Sequence, residues 1–489
     1  AAFRFSHDKL REGIVARLSS DRCKDLHRLA AEALTATYTG IDIEARHAAV
    51  ARHWSLAEQF EAAGEHYLAA AVYAMRLHIH ADARQNLDGA LAATARAPDS
   101  SENQARRFEA LLRRVQISII SDPADENLAR LEEAEGFIAT LHGLDESSIE
   151  HKRARVVYLR GRVYYYGGQP LKAIQCYREV LPAAQKFQDP ELLALPSSML
   201  GMALVTQGHS LRAGPLLKMA LGPLLTLGEL HEYIRVRTFY GVSLIARGQI
   251  EEGFQELEGA NERADQMDQA SALGIARVVR GAGHFFAWDY PTAERDFRDV
   301  LRFAEQSGAA VHRYLGSLLL GWTLSHLGRF EEADAAAAVA DAVLKAMGGR
   351  LVITDWFLAS KAELAFFKGE IDRAIVEAEQ VAATFGAQGA ILSTGIAERV
   401  WGLALGARDS SKEGIAAAEP HIQKSVKMLC DGPFYCEAAR TELFWALRLR
   451  SWGFEERAEE SYQRAVETLQ KHGYQTALGE AARRWARAT

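Results

Sequence analysis

The stretch Tyr158–Leu181, YLRGRVYYYGGQPLKAIQCYREVL, decides the fold. Three tyrosines run into two glycines, and Gly161, Gly168 and Ala173 stand where a bulkier residue would serve a helix better. Aligned on Gly161, the same small position recurs at Gly201, Gly241, Gly281 and Gly321, each 40 residues from the last, and continues as Ala362, Gly402 and Ala446. A second set follows twelve residues behind, at Ala173, Ala213, Gly253, Ala293, Ala333, Ala374 and, after a short insertion, Ala418, then Ala458. Four residues further on, most copies carry a larger apolar side chain: Tyr177, Leu217, Leu257, Phe297, Ile422 and Tyr462. Between the two sets lies a turn signal, read as GGQP, QGHS, RGQI, WDYP, LGRF, KGEI and WGFE.

Small residues let two helix backbones approach, and the apolar residue four places on lies on the same helical face and fills the space they leave. Each unit therefore reads as helix A, tight turn, helix B. One hairpin cannot bury its own apolar face, so neighbouring hairpins must stack.

The spacing of Gly161, Tyr164, Gly168, Ala173, Tyr177 and Val180 resembles the tetratricopeptide repeat, whose usual length is about 34 residues. The resemblance implies an all-α fold, a right-handed superhelical solenoid of antiparallel helix hairpins. The longer period lengthens both helices by a turn or less. Within the opening unit, Tyr164 reads as the buried tyrosine and Tyr165 as the one facing the groove. Ala134, Ile138 and Leu141 suggest one degenerate unit ahead of the regular ones.

Composition limits the function classes. Hydrophobic residues make up 48% and charged residues 25% of 489, and the 11 prolines favour long helices. The net charge of −7 gives no basic footprint for nucleic acid or an anionic membrane. The cysteines, at 23, 176, 430 and 436, form no zinc-ligand spacing and read as reduced thiols of a cytoplasmic protein. No apolar run reaches the roughly 18 residues of a membrane helix.

The first hundred residues carry a second resemblance. FRFSHDKLREGIVARLSSDRCKDLHRLAAEAL, with Phe5, His7, Asp8, Leu10, Arg11, Leu26, His27 and Ala30, and the following segment with His53, Ala63, Tyr67 and Ala70, are similar to the junction of large bacterial signal-transduction ATPases of the STAND class. There a nucleotide-binding and a winged-helix domain lead into tetratricopeptide-like repeats. The resemblance implies that this chain is the sensor arm of such a protein, cut from a larger chain. It would comprise a helical junction over 1–50, degenerate repeats over 51–150, about eight repeats over 151–472 and a capping helix over 473–489.

Catalytic constellations are absent from the sequence. No G-x-x-x-x-G-K-[ST] run exists to cradle phosphates, so this segment is expected neither to bind nor to hydrolyse ATP and to need no cofactor. His78 and His80 are two apart and diverge on a helix, so they do not make a metal pair. Ser6, His7 and Asp8 hold the residue types of a triad, but a helix cap explains them. Glu251 with Glu252, and Glu331 with Glu332, follow turn signals and suit the first turn of helix B. Arg483, Arg484 and Arg487 read as the solvated face of the final helix.

The inner wall of a superhelix is where repeat proteins bind, and helix A lines it. Relative to the small anchor, the outward positions fall six and three residues before it and one and four after. They are Arg155, Tyr158, Arg162 and Tyr165; Ser198 and Met202; Arg235 and Thr238; then Phe285, Trp322, Trp356, Glu363 and Arg399. Arginines and aromatics suit a recognition groove, while the aromatics, Phe285 and Trp322 especially, read equally well as packing within neighbouring repeats whose helices are longer than usual. The expected function is a non-catalytic regulatory arm that binds a peptide, protein or small-molecule signal and controls its upstream ATPase. The alternative is an autonomous scaffold for protein partners.

Overall fold

The computed structural model describes residues 16–77, 79–140, 145–267 and 270–488. Among these residues the regular elements are 24 α-helices and no strand. They fall into two compact units, Ala1–Ile119 with Asp125–Leu159, and Ile120–Ala124 with Arg160–Thr489.

The first unit holds α1 (Ser20–Thr37), α2 (Ile41–Glu44), α3 (His47–Leu56), α4 (Phe60–Arg76), α5 (His80–Thr94), α6 (Ser101–Ser118) and α7 (Ala124–Thr140). Its core joins Ala71, Leu87, Ala90 and Ala110, flanked by Tyr67, Leu68 and Met75. Ala134 and Ile138 are buried as the repeat pattern requires, whereas Leu141 lies outside the described residues.

From α8 (Glu146–Tyr166) onward the helices pair regularly. The hairpins are α8 with α9 (Pro170–Phe187), α10 (Pro190–Thr206) with α11 (Ser210–Thr226), α12 (Leu230–Ala246) with α13 (Ile250–Met267), and α14 (Ala270–Phe286) with α15 (Tyr290–Ser307). They continue as α16 (Ala310–His326) with α17 (Phe330–Ala346), α18 (Thr354–Phe367) with α19 (Ile371–Gly386), α20 (Ile391–Arg408) with α21 (Lys412–Asp431), and α22 (Tyr435–Ser451) with α23 (Glu455–Lys471). The single helix α24 (Gln475–Arg487) follows. Two 17-residue helices such as α10 and α11, with three-residue connections, fill the 40-residue period.

The small positions do what their spacing predicts, and all sixteen anchors are buried. A Cβ on Gly161 would sit 2.6 Å from Tyr177, on Gly201 2.7 Å from Leu217, on Gly281 2.7 Å from Phe297 and on Gly402 2.8 Å from Ile422. Each partner is the apolar residue four places after the second anchor. Helix starts follow local chemistry too: Pro170 opens α9, and the Asp189 carboxylate caps α10 by accepting from the amides of Glu191 (2.9 Å) and Leu192 (3.1 Å). The glutamate pairs Glu251/Glu252 and Glu331/Glu332 occupy the first turns of α13 and α17.

Gly161→Leu is expected to force α8 and α9 apart and to lower the unfolding free energy by about 1–3 kcal/mol, the range of core overpacking. Thermal melting checks this, and an unchanged midpoint would contradict the packing described.

Within the second unit, hairpins distant in sequence meet. The amide of Val352 donates to Tyr166 O (2.7 Å) and that of Ile391 to Gln207 O (3.0 Å). Trp356 Nε1 donates to Thr206 O at 3.1 Å across 150 residues. The Tyr474 hydroxyl, just before α24, donates to Ile245 O at 2.7 Å across 229 residues. The hairpin-turn ends of early repeats thus rest on helices several repeats later, and the face lined by the A helices closes on itself.

Candidate functional site

That closure decides where the thirteen groove candidates stand. Tyr158, Tyr165, Ser198, Met202, Arg235, Thr238, Phe285, Trp322, Trp356, Glu363 and Arg399 are all buried, so they do not line an open groove. The two remaining arginines are partly exposed. Arg155 pairs with Glu109 through two hydrogen bonds (2.5 and 3.0 Å), and Arg162 lies 3.9 Å from Glu232. The tyrosine expectation is also reversed. Tyr164 is half-exposed beneath Lys172, 5.2 Å from its ring, while Tyr165 is 4% exposed. One helical step turns Tyr165 toward the closed face and Tyr164 away from it.

The buried candidates form two groups. Tyr165, Met202, Arg235 and Trp356 surround an apolar cavity of about 70 Å³, and Arg235 donates to the Tyr166 hydroxyl at 2.6 Å. Ser198 and Thr238 turn back on their own helices, donating to Leu195 O and Arg235 O at 2.8 Å each.

The second group is a buried ion ladder. Trp322 Nε1 donates to Glu363 Oε2 at 2.8 Å, and Arg399 grips Oε1 of the same carboxylate through Nε (3.1 Å) and Nη2 (2.7 Å). Arg399 Nη1 reaches Glu437 Oε2 at 2.9 Å, and Arg440 Nη1 lies 2.5 Å from Glu437 Oε1. His326 Nε2 lies 3.0 Å from Glu363 Oε2. Burial alone would raise the Glu363 pKa, but Arg399 and His326 beside it hold it well below the usual carboxylate range. Two carboxylates against two guanidiniums make the ladder neutral, as a dry interior requires.

Periodicity singled out Phe285, Trp322, Glu363 and Arg399 but missed His326, Glu437 and Arg440. Arg440 lies six residues before Ala446, the register of Arg155, Arg235 and Trp356, so reading the eighth unit outward would have found it. Its guanidinium sits over the rings of Phe285 and Trp288, both at 5.0 Å.

Above the ladder the surface opens. A cleft of about 850 Å³ is bordered by Trp288, Tyr290, His326, Phe330 and Phe367 and by Arg448, Arg483, Arg484 and Arg487. A neighbouring cleft of about 890 Å³, bordered by Phe254, His284 and Tyr474, shares Asp289 and Thr476 with it. The arginines of α24 therefore line a concavity and are not simply a solvated face. Arg483 and Arg484 both hold Glu480 (2.9 and 2.8 Å).

His326 connects cleft and ladder. Burial pushes its pKa down to about 4 against the pull of Glu363, so the ring is neutral at pH 7. Nε2 faces the carboxylate and carries the proton, which leaves Nδ1 a buried acceptor with no hydrogen-bond partner. Trp288 Nε1 is likewise buried without a partner. Trp288 is held at φ 64°, in the left-handed region, which costs a non-glycine residue about 1–2 kcal/mol.

Other polar groups carry less. His27 with His53, and His47 with His66, bring Nδ1 atoms to 2.9 and 2.8 Å, but no third metal-ligating side chain joins either pair among the described residues. Ser6, His7, Asp8 and His78 lie outside the described residues. No helix among the described residues is long and apolar enough to cross a membrane.

Asp355 gives a pH signature. It accepts from Ser393 Oγ at 2.7 Å, and burial pushes its pKa up from 3.8 to about 6. The folded chain therefore holds this proton where the unfolded chain releases it, so stability falls as pH rises between about 4 and 6. Asp355→Asn, which retains an acceptor for Ser393, is expected to be about 2–3 kcal/mol more stable than the parent at pH 7 and equal to it near pH 3. Urea denaturation of both chains at the two pH values checks this, and a variant weaker at pH 7 would refute it.

No family model matches the chain, and no curated protein matches it. Among solved structures, it is similar to a Rap protein complexed with competence and sporulation factor, at 14% identity and a TM-score of 0.47, over 84% of this chain and 98% of that one. It is similar to NprR in complex with its cognate peptide NprX, at 14% identity and a TM-score of 0.48, over 75% and 97%. It is also similar to a STAND protein with a tetratricopeptide repeat sensor from Pyrococcus horikoshii, at 13% identity and a TM-score of 0.41, over 77% of this chain and 55% of that one. At such identities the likeness is one of helical architecture.

Proposed function

We propose that the chain is a non-catalytic recognition arm whose binding site is the cleft above the ion ladder, in place of the concave face suggested by repeat spacing. The observation that carries this is the position of His326. It borders the cleft and is also the end of a buried chain of charges through α16, α18, α20 and α22. A ligand in the cleft that engages His326 changes the charge balance seen by Glu363, and through it the packing of four A helices. Such a coupling between a site and a buried charge network is what a sensor needs.

On this reading the arm regulates a nucleotide-binding domain of a STAND-type ATPase, and its signal is a peptide, a protein or a small molecule. The test is a thermal-melting titration of the purified chain with fractionated peptide and metabolite extract. A saturable upward shift is expected, since anything that binds only the folded state stabilises it. His326→Ala should abolish the shift while the chain still folds. Failure of every fraction to shift the midpoint, or substrate turnover by the isolated chain, would overturn the reading.

A further inference from the structure

The hairpin turns carry one departure from the pattern of their own repeat. At the same place in successive units the chain turns through a left-handed residue, and that residue is Gly168, Gly208, Gly248 and Gly328, but Trp288 in the unit between the last two. Glycine adopts this conformation freely and tryptophan does not. The sequence thus keeps a strained residue where its own repeat supplies an easy alternative, and strain of this kind collects at binding sites.

The cleft beside it holds matching chemistry. Trp288 Nε1 is a buried donor and His326 Nδ1 a buried acceptor; neither has a partner, and both residues belong to the wall of the cleft. Buried polar atoms in this state are what a ligand's hydrogen bonds complete. Tyr290, stacked on His326 with ring centroids 5.2 Å apart, and Phe367 supply flat apolar wall. Four arginines face two carboxylates, Glu480 and Asp289, so the lining is net positive by two. Arg448 and Arg487 have no carboxylate within ion-pair reach among the described residues. The volume of about 850 Å³ falls within the range of small-ligand sites, roughly 300–1,000 Å³, and far exceeds that of a single ion.

We infer that this cleft binds a small organic anion, a phosphate or carboxylate joined to a flat ring that carries both hydrogen-bond donors and acceptors. The anionic group sits against Arg448 and Arg487. The ring lies along the aromatic wall, accepts from Trp288 Nε1 and donates to His326 Nδ1. This rests on the recognition reading above and adds the class of ligand. Phosphate and carboxylate share the chemistry, and a mononucleotide or an aromatic amino-acid derivative would present it.

The test is calorimetric titration of the chain, at low salt where surface arginines are least screened, with adenosine 5′-monophosphate, 4-hydroxyphenylacetate, adenosine and inorganic phosphate. One of the two ring-bearing anions is expected to bind at least about tenfold more tightly than adenosine or phosphate, and which one identifies the anion source. Arg487→Ala should weaken it about tenfold. Trp288→Gly removes the donor together with a buried ring, so it should lower the thermal midpoint and weaken binding by about tenfold or more. Trp288→Phe, which retains the ring and loses the donor, should weaken binding severalfold. Phosphate binding as tightly as the ring-bearing anions, no binding by either at millimolar concentration, or undiminished binding in both tryptophan variants would overturn the proposal. Stabilisation by extract while both ring-bearing anions fail to bind sinks this ligand class and leaves the recognition reading standing; no stabilisation by either sinks both.

Discussion

Replacing Arg399 with leucine is expected to destabilise the chain by about 3–5 kcal/mol, the range for removing one partner of a buried ion pair. The effect should be large because Arg399 has no exposure and serves two carboxylates at once, Glu363 at 2.7 Å and Glu437 at 2.9 Å. Its removal leaves two buried negative charges balanced by Arg440 alone. Glu363 would then take a proton or draw one onto His326, so the variant should lose further stability as pH rises. Adding Glu363→Gln should recover part of the loss, because the second change removes the stranded charge, and the double-mutant cycle should show a favourable coupling. Urea denaturation followed by circular dichroism reads all three variants. A single variant with the parental midpoint would mean that the ladder does not hold these helices together.

Tyr165→Ala separates the two positions that spacing and structure assign to the same residue. As an open-groove residue it would leave the fold intact. At 4% exposure, with its ring 5.1 Å from that of Tyr166 and Thr206 within hydrogen-bond reach of its hydroxyl, its removal should cost about 3–5 kcal/mol, as for other large aromatic truncations in cores. The cavity of about 70 Å³ already beside it would enlarge. Tyr164→Ala, one residue earlier and half-exposed, should cost much less. Equal melting of the Tyr165 and parent chains would restore the open-groove assignment and contradict the closure described.

The site was legible only in part. Spacing from the small anchors selected Trp322, Glu363 and Arg399, which do converge, because their positions on helix A are a local property of the 3.6-residue period. It could not say that they face one another across a closed interior and not solvent. Glu437 and His326 lie off the four chosen registers, and nothing in a single repeat marks them. Trp288 was visible as the odd turn among glycine turns, but its significance needed the left-handed φ and the unpartnered indole.

The sequence by itself determined the hairpin. Gly161, Ala173 and Tyr177 specify how two neighbouring helices meet, and that contact is local enough to repeat every 40 residues and be read as a period. Tertiary structure alone decided which face of the array meets solvent. Each hairpin turns slightly against the next, and those small rotations accumulate until Tyr166 meets Val352 and Ile245 meets Tyr474. No residue spacing encodes that sum, so the face expected to be a groove became a core.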